Sequence, residues 1–148
     1  MPDEKKPVVD ALSRLLADSY TTYLKTHNFH WNVTGPMFNT LHTMFETQYT
    51  ELAMAVDEIA ERIRALGAPA PGTYAAFQKL SSVREPKSLP NARGMIDQLA
   101  KDQDAIAKSA RAVIKAAEGA GDSASADLAT RRIDTHQKNA WMLRSHLE

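Results

Sequence analysis

Residues 39–69 read NTLHTMFETQYTELAMAVDEIAERIRALGAP. Leu41, Phe45, Gln48, Leu52, Val56, Ile59 and Ile63 recur at intervals of three and four. That is the period of one helix face, not the alternation of a half-buried strand. The segment predicts a long amphipathic helix that starts between Pro36 and Asn39, with Asn39 as the N-cap, and ends at Leu66. Gly67 just past the end and Pro69 beyond it are the expected stop signal. Arg62 and Arg64 fall in the last turn, where the helix dipole favours cations.

Upstream, a helix is expected from about Pro7 to about His30, with Leu12, Leu15, Leu16, Ser19, Tyr23 and His27 in helical register. Pro7 suits a first turn, and Asn32-Val-Thr-Gly-Pro36 breaks the pattern. Downstream, the linker from Gly67 to about Pro90 is long and contains Pro69, Pro71, Gly72, Pro86 and Pro90. Within it, Thr73 to Leu80 reads as a short amphipathic helix with Tyr74, Phe77 and Leu80 as its apolar points. Two more long helices follow. One runs from about Asn91 to Glu118, marked by Met95, Leu99, Ile106, Val113 and Ala117, and Gly119-Ala-Gly121 ends it. The other runs from about Ser123 to Leu147, marked by Leu128, Ile133, Ala140, Leu143 and Leu147. The expectation is an all-α four-helix bundle with a short helix on the long crossover between the second and third helices. It forms one domain over 1–148, with residues 1–6 as a short tail.

Of the 148 residues, 43% are hydrophobic and 24% charged, an ordinary balance for a globular chain with one core. No apolar run approaches the roughly 18 residues that span a bilayer. The start, Met1-Pro-Asp-Glu-Lys-Lys-Pro7, has no apolar stretch behind its lysines and does not read as a secretory signal, so cytoplasmic residence is the default. There is no cysteine, which excludes disulfides and thiolate metal sites. Basic and acidic residues balance at 18 each. A protein that coats nucleic acid usually carries a basic excess or tail; here Lys5 and Lys6 stand beside Asp3 and Glu4. Bulk charge thus argues against strong DNA binding without excluding a local patch.

The chemistry-bearing residues lie on the second helix. His42 and Glu46 are spaced i, i+4, and so are Asp57 and Glu61; each pair shares a face. At about 100° per residue, the eleven steps from Glu46 to Asp57 return to within about 20° of the same direction, so all four lie on one stripe flanking the core. The same eleven steps advance roughly 16 Å along the axis, too far for the two pairs to share a metal within one chain. Two copies of the helix packed antiparallel about an axis near Glu51 and Leu52 would instead bring His42 and Glu46 of one to Asp57 and Glu61 of the other. That closes a pair of identical sites per two-fold dimer. Tyr49 and Ala53 lie on the stripe between the pairs. Asp57 and Glu61 are like charges one turn apart, an unfavourable arrangement that a shared cation would reverse. Histidine with carboxylates suits iron, manganese or zinc, and residue type alone does not choose among them. The plainer alternative is that these residues are solvated or paired locally, as Glu58 with Arg62 and His42 with Glu46.

The run Thr26-His-Asn-Phe-His-Trp-Asn-Val-Thr-Gly-Pro36, followed by Leu41-His42, Phe45-Glu46 and Val56-Asp-Glu-Ile-Ala-Glu-Arg62, resembles the signature of the Dps family, the mini-ferritins. The likeness extends through the crossover helix to Trp141-Met-Leu-Arg144. It implies a ferritin-like bundle whose subunits assemble as a hollow dodecameric shell, with ferroxidase centres between two-fold-related subunits. Carried over by position, His30, His42 and Glu46 come from one chain and Asp57 and Glu61 from its partner. Glu46 departs from the Asp that many members carry there. Trp31 is expected beside the centre, and His27 reads as structural. The resemblance implies Fe2+ oxidation, with hydrogen peroxide preferred over oxygen, and ferric mineral stored inside, protecting the cell and its DNA.

Ordinary ferritins use Glu-x-x-His for a centre inside each subunit; no histidine here has an acidic residue three positions before it. Asp122 and Asp127, at the start of the fourth helix, have two readings: capping and dipole complementarity, or, by resemblance, the lining of three-fold pores that admit iron. A rival function is DNA compaction with little ferroxidase role. The mixed-charge tail argues for weak DNA binding, although nucleoid association stays open.

Overall fold

Each helix boundary has a local cause. The computed structural model describes residues 4–148, where five α-helices form: α1 (Lys6–Asn32), α2 (Phe38–Ala65), α3 (Tyr74–Leu80), α4 (Ala92–Gly119) and α5 (Ser123–Ser145). Of the tail expected at 1–6, residues 1–3 lie outside the described residues. Pro7 sits in the first turn of α1, where its missing N–H removes no helical bond. Gly67 adopts φ +96°, and behind it Ala68 N–H reaches Ile63 O and Gly67 N–H reaches Arg64 O, the double bond of a left-handed helix cap. Gly121, at φ +65°, repeats this after α4, with Asp122 N–H bonded to Ala117 O and Gly121 N–H to Glu118 O.

The side-chain caps fall on Thr73, Asn91 and Asp122, which accept from Ala76, Gly94 and Ser125 N–H. Asn39 does not cap α2. The cap falls two residues earlier, at Met37, with no side-chain bond, because the turn at Gly35 already engages Phe38 N–H through a backbone bond of 3.0 Å.

α1 packs antiparallel to α2 and to α4, α4 packs on α5, and α3 lies against α1. The registers are read from side chains: Tyr23 meets Tyr49 between α1 and α2, and Lys25 meets Asp102 between α1 and α4. α2 and α5 are joined by ion pairs of Glu51 with Arg132, Glu58 with Arg131, and Arg62 with Asp122. The expected Glu58–Arg62 pair is therefore replaced: both residues reach across to α5, whose own arginine and aspartate offer better geometry than an i, i+4 partner. On α3, Phe77 is buried and Leu80 partly so, but Tyr74 is exposed.

The long crossover is tied down. Buried Asp18 accepts hydrogen bonds from Ser81, from Ser82 through both N–H and hydroxyl, and from Ser109 of α4. Lys25 bonds Arg84 O at 2.9 Å and Asp102 at 2.8 Å. Burial pushes the Asp102 carboxyl up, more than the Lys25 charge lowers it. Tyr20 stacks on Phe77 at 4.9 Å.

The buried apolar residues separate into two clusters. One is built around Leu12, Leu16, Leu52, Ile59, Ile106 and Leu128. The other surrounds Phe29, Leu41, Phe45, Met95, Leu99 and Leu143. The second cluster supports the α1–α2 corner that carries the histidines.

Candidate metal centre

His30 is on the last turns of α1 and His42 on the first turns of α2, so the Asn32–Pro36 break folds one against the other. Their rings stack at 3.8 Å and 15°. Each ring donates from Nδ1 to the other residue's backbone carbonyl: His30 Nδ1 to His42 O and His42 Nδ1 to His30 O, both at 2.7 Å. A carbonyl only accepts, so both Nδ1 atoms carry a proton, and in the neutral rings Nε2 is the nitrogen with the lone pair. That is the tautomer and orientation in which imidazole binds a metal, held by a backbone partner. Glu46 Oε1 lies 3.8 Å from His30 Nε2. Phe38 stacks on the far side of His42 at 5.0 Å, and Tyr49 meets His30 edge-on at 5.2 Å.

His30, His42 and Glu46 are thus brought together, with His30 buried and Glu46 exposed. The expected His42–Glu46 pair is not formed: His42 Nδ1 donates to the α1 carbonyl, and Glu46 lies against His30 instead. Asp57 and Glu61 form a second, separate group, both exposed on α2. The Asp57 side chain one turn away, as a hydrogen-bonding neighbour first and through its charge second, pushes the Glu61 carboxyl up. Two like charges one turn apart present a place where a cation would relieve their repulsion. Among the described residues, no three His, Asp or Glu side chains within the chain are grouped as a metal site; the helical rise alone separates the two groups by roughly 16 Å.

His27 is sandwiched, with Trp31 at 3.9 Å and Tyr49 at 4.1 Å. Partial burial, then the neighbouring His30, lower its pKa. Trp31 contacts this sandwich and leaves 59% of its surface exposed beside the histidine pair. Asp122 is occupied: it caps α5, bonds Ser125 twice and pairs with Arg62 at 3.1 Å. Burial pushes its carboxyl up, but the Ser125 bonds and the Arg62 charge outweigh this and hold it below the usual range. Asp127 is open by comparison, its side chain 73% exposed and paired only with Arg131 at 3.2 Å.

Sequence reading passed over Phe38, which walls His42, and the Glu51–Arg132–His136 group, in which Arg132 and His136 are buried. The signal for the latter was present: Arg132 and His136 are spaced i, i+4 on the core side of α5, in register with Leu128, Ala140 and Leu143.

A bundle of two helical hairpins joined by a long, helix-bearing crossover, with no Glu-x-x-His in its chain, defines a ferritin-like protein that lacks the usual ligand set for an intrasubunit centre. A family model described as the ferritin-like domain matches residues 9–148. The DNA protection during starvation protein 2 of Bacillus anthracis is 37% identical over 142 residues, 96% of this chain and 97% of its own length. A Dps protein crystal structure from Bacillus brevis superposes with a TM-score of 0.96 at 33% identity, covering 100% of this chain and 99% of that one. A Dps structure from Vibrio cholerae, described as a member of a broad superfamily of ferritin-like diiron-carboxylate proteins, superposes with a TM-score of 0.93 at 29% identity, covering 98% and 91%. The chain belongs to the Dps family of ferritin-like proteins.

Proposed function

We propose that this protein takes up Fe2+ as a substrate at sites formed between two-fold-related subunits, oxidises it with hydrogen peroxide in preference to oxygen, and stores the ferric product in a dodecameric shell. The observation that carries this reading is the histidine pair: two imidazoles locked by backbone carbonyls with both Nε2 lone pairs unclaimed by those locks. His42 lies on the same stripe of α2 as the carboxylates Asp57 and Glu61. His30, His42 and Glu46 of one subunit then face Asp57 and Glu61 of its partner. The carboxylates are hard oxygen donors suited to iron, and the few protein ligands leave positions open for an oxidant.

Two Fe2+ each give one electron to one hydrogen peroxide, which takes two protons and leaves as two waters. Both ingredients of hydroxyl-radical chemistry disappear together. Among the described residues no helix is long and apolar enough to cross a membrane, and the working compartment proposed is the cytoplasm. Asp127, exposed on α5, is the better candidate for an iron-entry pore; Asp122 is committed to its cap. The relatives' name, DNA protection during starvation, fits a protective effect exerted through iron and peroxide. Direct DNA binding is expected to be weak at neutral pH, and a salt-sensitive gel shift of the assembled shell at sub-micromolar protein would overturn that.

The test is anaerobic Fe2+ loading followed by oxidation kinetics with peroxide and with oxygen, in wild type and Asp57→Ala/Glu61→Ala. Loss of even an outer-shell partner of a metal ligand lowers affinity or activity by about 10–100-fold. Loss of both carboxylates is expected to slow peroxide-driven oxidation by more than about 100-fold. Equal rates in the two proteins would remove the ferroxidase reading while leaving the fold intact. Shared ligation has its own test: His42→Ala subunits co-assembled with Glu61→Ala subunits should regain some intact centres, and no recovery would count against it.

A further inference from the structure

The two apolar clusters do not touch through the middle of the bundle. On α1 the first cluster stops at Ala17 and the second begins at Phe29. The corresponding gap on α2 lies between Phe45 and Leu52, on α4 between Ala100 and Ile106, and on α5 between Ala129 and Leu143. The antiparallel registers place these gaps at one level: Tyr23 beside Tyr49, Lys25 beside Asp102, Gln103 beside His136, Glu51 beside Arg132. Each of the four long helices fills its gap with buried polar residues. They include Ser19 and Thr22 from α1, Gln48 from α2, Gln103 from α4, and Arg132, His136 and Asn139 from α5.

Part of this belt satisfies itself. His136 donates from Nδ1 to Gln103 Oε1 at 2.6 Å and accepts at Nε2 from Arg132 at 3.0 Å. Asn139 also donates to Gln103 Oε1, and Arg132 pairs with Glu51 at 2.9 Å. The rest has no protein partner among the described residues. Ser19 Oγ, Thr22 Oγ1, both amide atoms of Gln48, Gln103 Nε2 and Arg132 Nε are buried without a hydrogen bond. Gln48 is 97% buried, its relative exposure being 3%, and neither end of its amide is paired. Asp102 Oδ2 is a different case, since it lies against Lys25 Nζ at 2.8 Å.

Folded proteins rarely leave such groups unpaired, and ordered water is the usual partner, each buried molecule making about three hydrogen bonds. We infer that the centre of the bundle is a binding site for internal water, held by Ser19, Thr22, Gln48, Gln103 and Arg132. A metal ion does not suit it. Both nitrogens of His136 are engaged, the belt's carboxylate Glu51 is neutralised by Arg132, and the guanidinium repels a cation. An anion is disfavoured too, because Glu51 already balances Arg132. The unpartnered atoms mix three N–H donors, one amide oxygen and two hydroxyls that do both, and this calls for a ligand that both donates and accepts. The unpartnered atoms correspond to about two waters per subunit. This inference stands apart from the iron reading, because it concerns the metal-free protein and residues off the α2 stripe.

Oxygen-17 and deuteron relaxation dispersion on the metal-free assembled protein counts waters held for longer than nanoseconds. About two per subunit are expected in wild type, and fewer in Gln48→Met/Thr22→Val. Gln48→Met alone should lower the thermal midpoint, since it strips hydrogen bonds from a hydrated site. Replacing an unpaired amide in a dry core would raise it. No long-lived water in wild type, an unchanged count in the double variant, or a raised midpoint in Gln48→Met would each overturn the inference.

Discussion

His30 and His42 sit at the α1–α2 corner, His136 in the middle of the bundle. All three are shielded from solvent to some degree, and all three are held by hydrogen bonds at Nδ1. The difference lies at the other nitrogen. At the corner Nδ1 is satisfied by backbone, and the nearest charge to Nε2 of His30 is a carboxylate at 3.8 Å. In the centre Nε2 faces the Arg132 guanidinium at 3.0 Å. A nitrogen near a negative group is suited to bind a cation; one against a positive group is a structural acceptor. Residue type says nothing about which is which, and the neighbour at the second nitrogen decides it.

The largest expected effect breaks the central half of this comparison. Glu51→Leu leaves Arg132, whose side chain is only 5% exposed, without its counter-ion. Breaking a fully buried pair costs about 3–5 kcal/mol; because Glu51 is part-exposed, about 2–3 kcal/mol is expected here, read as a lowered denaturation midpoint. Ferrous oxidation per folded shell should be unchanged. A large loss of oxidation at intact stability would mean that the centre and the corner are not independent.

His42→Ala tests the corner in the opposite sense. Iron affinity should fall by about 10–100-fold, while the denaturation midpoint moves less than in Glu51→Leu. The stacked ring and its carbonyl bond are lost, but no buried charge is left without its counter-ion. Unchanged Fe2+ affinity in His42→Ala would leave the locked tautomers as packing alone.

A third prediction uses pH. Unfolded, His136 takes up a proton near pH 6.5. Folded, burial first and the Arg132 charge second hold it neutral to well below that value. The contribution is whole above about pH 6.5 and is lost as pH falls from there toward the folded pKa, at up to about 1.4 kcal/mol per unit per subunit. Stability measured between pH 6.5 and 5.5 should fall less steeply in His136→Gln than in wild type. Parallel slopes would show that His136 is protonated in the folded protein.

Much of this was legible in the sequence, and the exceptions share a cause. The five helices follow from period, glycine stops and proline breaks, all local signals. The grouping of His30 with His42 and Glu46 was implied by the family resemblance alone, since spacing on α2 says nothing of a residue on α1. What escaped depends on contacts between segments far apart in the chain. Glu58 and Arg62 looked like partners because they are one turn apart, yet each found a better one on α5. Asn39 had the right chemistry for a cap but the backbone turn at Gly35 had already started the helix. The polar belt looked like ordinary interruptions in four separate apolar stripes, and only the bundle's register shows that the interruptions coincide.

The smallest effects come from the two aspartates at the start of α5, where the same distinction between an occupied and an open side chain recurs. Asp122 caps the helix and binds Arg62, so Asp122→Ala should lower stability by about 1 kcal/mol. Its depressed carboxyl is charged throughout the neutral range and already spent on those partners, leaving little to attract a passing cation. Asp127 is bound only to an arginine that prefers Glu58, at 2.6 Å against 3.2 Å. Asp127→Ala should leave the denaturation midpoint in place and, if this position lines the route by which Fe2+ enters, slow mineral growth without altering the first rapid phase of oxidation at the centres. Rapid-mixing kinetics resolve the two phases. Slowing of both phases would place Asp127 at the oxidation step itself, and slowing of neither would assign the entry route to other residues.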